Sequence, residues 1–245
     1  SYFTMLGLKE SNEWEMIENM IDNFAYLITT YGHIPNGNRS YYLSRSQPPY
    51  FAMMVNLLAE KKGAIVYGTY KIELQKEYDY WMDKTAPTKH VVIMPDGSML
   101  NRFYDTDIKP RQESFKEDFE IATSESKQVK DSFEQKTKEL RSGAESGWDF
   151  SSRWFADGIN ISSIQTTNVV PVDLNGLIYN LELTLAKAYK QTGDAATANQ
   201  YNTAAAKRKT AINKYCFNPK ENWYYDYIIS TKKQSAEQTI AGVSP

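Results

Sequence analysis

Cysteine is almost absent from this chain: Cys216 stands alone among 245 residues. No intrachain disulfide can form, and a lone cysteine far from any histidine-rich stretch reads as a packed hydrophobe. Histidine is nearly as scarce. His33 and His90 lie far apart in sequence, too few and too separate for a zinc site or a ready Ser-His-Asp triad. No metal and no other cofactor is expected. Charge of one sign is also lacking. A formal net charge of -2 gives no field for nucleic acid or an anionic membrane surface. No apolar run is long enough to span a bilayer, so membrane insertion is not expected. No secretory leader is visible, and the chain begins with Ser1 rather than Met, so an upstream segment is expected.

Aromatic residues are plentiful: five Trp, ten Phe and eighteen Tyr. A ring with an apolar face and a polar edge suits a carbohydrate ligand. Most of the chain reads as helix. Trp14, Ile17, Ile21, Phe24, Ile28 and Tyr31 recur at three- and four-residue steps, with Asn12 as the expected N-cap, Glu15 three residues on and Gly32 as the stop. Pro48-Pro49 opens a second helix carrying Phe51, Met54, Val55 and Leu58, which ends at Gly63. A third runs from about Tyr70 to Asp83. Val91 to Met94, the turn Pro95-Asp96-Gly97, and Met99 to Tyr104 predict a hairpin or extended insertion near 90–104. Helices resume near Glu113, and the polar stretch from Ile121 to Lys138 reads as a solvated helical surface or a flexible connection. Asp173 is the expected N-cap of an amphipathic helix through Leu174, Leu177, Ile178, Leu181 and Leu185 that ends near Gly193. Another helix spans Ala195 to Tyr215, and Asn222 to Tyr227 reads as loop or short strand. No solenoid-type repeat is visible.

Three loops beside helices hold residue types that a core does not need. Loops on a rigid scaffold are where ligand-handling residues concentrate. The first, His33 to Pro49, carries two Asn, two Arg, one Gln, three Ser and two Tyr, with almost no aliphatic content. Such donors and acceptors suit a neutral polyol, although an ordinary polar turn also fits. The second is Pro110-Arg111-Gln112-Glu113-Ser114, where Arg111 is a candidate donor to a ligand and Glu113 is either its partner or a helix-dipole carboxylate. The third is Gly143-Ala-Glu-Ser-Gly-Trp-Asp-Phe-Ser-Ser-Arg-Trp154. There Asp149 is either a helix N-cap or a catalytic acid, and the flanking tryptophans are expected to desolvate it and favour its protonated form. Asp105 and Asp107 lack the further oxygen ligands and glycine spacing of a calcium loop and read as a solvated loop.

Taken together, Ile34-Pro-Asn-Gly-Asn-Arg39 with Tyr42-Leu-Ser-Arg-Ser-Gln-Pro-Pro49, Arg111-Gln-Glu-Ser114 and Ala144-Glu-Ser-Gly-Trp-Asp-Phe-Ser-Ser-Arg-Trp154 resemble the α,α-trehalases of glycoside hydrolase family 37. The order of the three motifs is the family's, and the likeness is closest over residues 1–60 and 141–190. Where the family often has Arg-Pro-Glu, this chain has Arg111-Gln112-Glu113.

The resemblance implies an all-α fold, an (α/α)6 barrel or toroid, of which residues 1–245 form roughly half of one catalytic domain. It implies hydrolysis of trehalose to two glucose molecules with inversion, no metal, a monomer, and a periplasmic or, alternatively, cytoplasmic location. Asp149 matches the general acid. Asn36, Arg45, Ser46, Gln47, Arg111, Gln112, Glu113 and Gly147 match substrate-contacting positions. The family's general base is a Glu near its C-terminal end with no matching text here, so the chain is expected to be inactive alone unless Glu145 or Asp226 substitutes. Competing readings are a glycosidase of the same fold acting on another disaccharide, a sugar-binding module without turnover, and a purely structural helical array.

Overall fold

The computed structural model describes residues 1–86, 89–124 and 131–243. Its helices are α1 (Tyr2–Glu10), α2 (Trp14–Tyr31), α3 (Phe51–Lys62), α4 (Ile65–Thr69), α5 (Lys71–Met82), α6 (Phe115–Thr123), α7 (Phe133–Glu145), α8 (Val172–Gln191) and α9 (Ala195–Tyr215). Short strands are β1 (Val91–Ile93), β2 (Met99–Asn101), β3 (Val169–Val170), β4 (Phe217–Asn218), β5 (Trp223–Tyr224), β6 (Tyr227–Ile228) and β7 (Lys233–Gln234). The chain divides into two compact units.

One unit comprises Ser1–Ile34, Pro49–Trp81 and Gly176–Thr210. Its core follows the predicted helical spacing. Ile17, Ile21 and Ile28 of α2 meet Phe51, Met54, Val55 and Leu58 of α3, Leu74 of α5, and Leu181 and Leu185 of α8. Each fully buried side chain of this size contributes about 1.5–3 kcal/mol relative to exposure. Gly32 ends α2 as expected: its φ of 82° is one that a side chain resists, and its N–H donates to the Ile28 carbonyl at 2.8 Å. The expected cap at Asn12 is not found. Glu13 precedes α2 without a side-chain cap bond, because Asn12 is already used at the end of α1, where its φ is 58° and its N–H reaches the Lys9 carbonyl. A short polar residue suits either end of a helix, so the sequence signal was ambiguous.

Glu77 of α5 is fully buried, and neither carboxylate oxygen finds a hydrogen-bond partner among the described residues. Burial alone pushes its carboxyl up to about 8. In the unfolded chain the group titrates near the ordinary value of about 4.3. Between those values the folded state binds the extra proton, so stability falls as pH rises, by at most about 1.4 kcal/mol per pH unit. Glu77→Gln should therefore raise the unfolding free energy at pH 8 and leave it nearly unchanged at pH 4. Urea unfolding of the full-length protein at both pH values checks this. Equal effects at both would exclude Glu77 as the source.

The second unit comprises Pro35–Pro48, Met82–Asn175 and Ala211–Pro245. The predicted hairpin is present: β1 and β2 pair antiparallel with Val92 opposite Leu100, across a turn in which Gly97 has a φ of 83°. Val92, Met94 and Leu100 join Val170, Val172, Ile212, Cys216 and Tyr227 in one core, so Cys216 is the packed hydrophobe expected. Two further small sheets, β3-β6-β7 and β4-β5, add strands between Asn168 and Gln234 of which the sequence suggested only part.

The stretch from Ile121 to Lys138 departs from the solvated reading. Residues 125–130 lie outside the described residues, α6 ends at Thr123, and α7 begins at Phe133 with Lys136 and Thr137 already buried. From Lys136 to Glu145 all but Lys138 are buried, because polar side chains on α7 serve as hydrogen-bond partners for neighbouring loops. Asp173 is not the cap of α8. The helix starts at Val172, and the Asp173 carboxylate is engaged by Arg153.

Candidate active site

The three polar loops gather around one cleft of about 400 Å³, all within the second unit. Its lining is Asn36, Tyr42, Gln47 and Pro48 from the first loop, Arg111, Glu113 and Ser114 from the second, and Ala144, Gly147 and Asp149 from the third. Of the residues expected at a site, Asn36, Gln47, Arg111, Glu113, Gly147 and Asp149 are therefore brought together. Arg45, Ser46 and Gln112 are not part of the lining.

The first loop folds back on itself. Pro35 and Ser46 form an isolated antiparallel bridge, and the Asn36 N–H donates to the Arg45 carbonyl at 2.9 Å. Gly37 permits this closure, since a Cβ there would sit 2.6 Å from the Tyr42 ring. Ser46 is buried, and its backbone N–H donates to Glu145 Oε1 at 3.0 Å. Arg45 is fully buried beneath the cleft, and its Nη2 donates to Glu113 Oε1 at 2.6 Å. Burial works to raise the Glu113 carboxyl, but the Arg45 contact outweighs it and holds the group below the ordinary glutamate value.

Arg111 is anchored from behind. Its Nε and Nη2 form a fork with the Asp118 carboxylate, at 2.9 Å to Oδ2 and 2.7 Å to Oδ1, and its backbone N–H donates to Oδ2 at 2.8 Å. Burial disfavours the guanidinium charge, and the Asp118 pairing overcomes this and raises the group's pKa. The Phe150 ring lies 4.9 Å from the Arg111 guanidinium carbon. Gln112 is exposed in a short 3-10 turn, Gln112–Ser114.

The third loop leaves α7 through Gly147, whose φ of 72° turns the backbone toward Trp148 and Asp149. Asp149 is exposed. The expectation that tryptophan walls surround it is corrected. Trp148 and Trp154 instead both pack against Arg153, whose guanidinium carbon is 4.9 and 4.5 Å from their ring centroids. Arg153 is buried and makes two carboxylate forks, to Asp226 at 2.8 and 2.7 Å and to Asp173 at 3.0 Å twice. The Trp154 indole N–H donates to the Trp148 carbonyl at 3.1 Å, tying the base of the loop.

The alternative bases are occupied elsewhere. Glu145 is fully buried and accepts from the backbone N–H groups of Ser46 and Tyr104, and it lies 3.2 Å from His90 Nε2. Asp226 is spent on Arg153 and on the Val172 N–H. Neither lines the cleft. Asp105, expected in a solvated loop, is instead fully buried and accepts from Arg141 Nε at 2.7 Å and from Ser44 Oγ at 3.2 Å. Among the described residues no group of three or more His, Cys, Asp or Glu is arranged to hold a metal ion, and no helix is long and apolar enough to cross a membrane.

Sequence reasoning missed Asp118 and the lining role of Tyr42. Asp118 had a signal, a carboxylate seven residues after Arg111 in the first turn of the following helix.

A mostly helical scaffold with small antiparallel sheets, whose polar loops surround an exposed carboxyl and a braced arginine, is the class of protein defined by this fold and cleft. The family model described as Trehalase matches residues 1–245, and the chain belongs to the trehalase family. It is 49% identical over 251 residues to "Periplasmic trehalase" of Escherichia coli O139:H28 (strain E24377A / ETEC), a match covering 100% of this chain and 44% of that protein. The same identity and coverage hold for "Periplasmic trehalase" of Shigella flexneri serotype 5b (strain 8401). Its fold matches neutral trehalase Nth1 from Saccharomyces cerevisiae with a TM-score of 0.78 at 21% identity, over 98% of this chain and 48% of that one. The chain thus spans less than half the length of these relatives, as expected for part of an (α/α)6 toroid.

Proposed function

We propose that the protein is an inverting α,α-trehalase in which Asp149 is the general acid and the general base lies outside residues 1–245. The observation that supports this best is the meeting of Asp149, Arg111 and Glu113, from two separate loops, in one cleft with the amides of Asn36 and Gln47. An acid, a cation, an anion and two amides can match the hydroxyls of a disaccharide. Asp149 gives its proton to the glycosidic oxygen, and the bond to one anomeric carbon breaks as the other glucose leaves. A water, deprotonated by the base from the opposite face, adds to that carbon; inverting pairs stand roughly 6.5–9.5 Å apart. Arg111, Glu113, Asn36 and Gln47 hold the sugars. Arg45 acts through Glu113, and Ser46 and Gly147 shape the backbone around the cleft. The names of the relatives support a periplasmic location.

The test is proton NMR of early products from the full-length protein and trehalose. Inversion yields one α- and one β-glucose per turnover, before mutarotation. Initial release of α-glucose alone excludes inversion, and no glucose at all excludes the activity. Purified residues 1–245 should release none, and turnover by that segment would require a base within it.

A further inference from the structure

Arg111 is the cation of the cleft, yet much of its guanidinium does not face it. Nε and Nη2 are bonded to Asp118, and the Phe150 ring packs against the guanidinium. Nη1 has no hydrogen-bond partner among the described residues, although the residue lines the cleft. Three carboxylates act on this guanidinium: Asp118 from α6, Glu113 from the adjoining 3-10 turn, and Asp149 from the loop after α7. Glu113 is itself held by Arg45. Asp118 is fully buried and outside the lining, so it has no route to a ligand.

The geometry points to Asp118 as a positioning residue for the proposed reaction: it fixes the plane of the Arg111 guanidinium so that Nη1 is presented to substrate, and it balances that cation beside the acid. This rests on the reading of the cleft as a trehalose site. A carboxylate fork sets both the direction and the twist of a guanidinium, which a single hydrogen bond does not. The backbone bond from the Arg111 N–H to the same carboxylate locks the main chain as well. An arginine otherwise free to rotate is thereby ready before substrate arrives.

The experiment uses the full-length protein with trehalose. Asp118→Asn keeps the shape and removes the charge, and kcat/KM should fall by about 10- to 100-fold. Arg111→Ala should lose at least as much, and millimolar guanidinium chloride should restore part of it. In Arg111→Ala/Asp118→Asn that rescue should vanish, because the ion has lost its dock. A residue that merely supports the fold would not govern rescue. Should Asp118→Asn fail to fold, Asp118→Glu takes its place with the same expected loss, since one extra methylene displaces the fork. Wild-type kcat/KM in a folded Asp118 variant, or equal rescue with and without Asp118, overturns the inference while leaving the trehalase reading intact. Wild-type kcat/KM in Arg111→Ala overturns both the inference and the role of Arg111 at the sugar.

Discussion

Asp149→Asn in the full-length protein should lower kcat on trehalose by about 10²–10⁴-fold, the usual contribution of a positioned general acid. KM should change little, because the amide keeps the size and much of the hydrogen-bonding capacity of the carboxyl. Stability should be nearly unaffected. Asp149 is exposed and makes no side-chain hydrogen bond among the described residues, so its replacement leaves no buried partner orphaned. A substrate with an acidic leaving group separates the acid from other roles. Fluoride ion leaves α-glucosyl fluoride without full protonation, so the Asn variant should retain far more of its wild-type rate on that substrate than on trehalose. An equal loss on both substrates would contradict the acid assignment.

Arg153→Met should destabilise the full-length protein by about 3–5 kcal/mol, the range for breaking a buried ion pair by removing one member. The methionine keeps apolar contact with Trp148 and Trp154 but leaves Asp173 and Asp226 without their shared cation. Burial works against the Arg153 charge, yet the two carboxylates dominate and raise its pKa. Asp226 also accepts the Val172 N–H at the start of α8, so the damage extends past the loop. Urea unfolding at pH 7 should show a lower midpoint with an unchanged slope. Arg153→Lys should recover only part of the loss, since an ammonium cannot make two forks. A loss below about 1 kcal/mol, the level of an exposed pair, would mean that this cluster is not the anchor described.

The helices were legible because burial imposes a period. The α2 face through Ile17, Ile21 and Ile28, its glycine stop, and the full extent of α9 follow from spacing and terminators. The three loops, with Arg111, Glu113 and Asp149, were legible as chemistry that no core requires, and the family resemblance added the lining residues Asn36, Gln47 and Gly147. What the one-dimensional pattern does not contain is direction. Two tryptophans beside Asp149 suggested a desolvating wall, but both rings turn to Arg153 and the acid stays exposed. Asp105 read as a solvated-loop carboxylate and Asp173 as a cap, and Asp118 drew no reading at all. Each is engaged by an arginine, two of them by arginines distant in sequence, and pairings of that kind leave no periodic trace.

Helix α7 uses successive turns for different attachments. Glu139 holds Thr167, Arg141 holds Asp105 and Ser44, and Glu145 holds the amides of Ser46 and Tyr104. The helix thus works as a keel to which separate ribs are pegged. The ribs are also pegged to one another, Ser44 to Asp105, Arg45 to Glu113 and Arg102 to the Thr167 carbonyl, so the frame is cross-braced. Loss of α7 would therefore loosen every loop of the cleft, while the cross-braces still link the loops to one another.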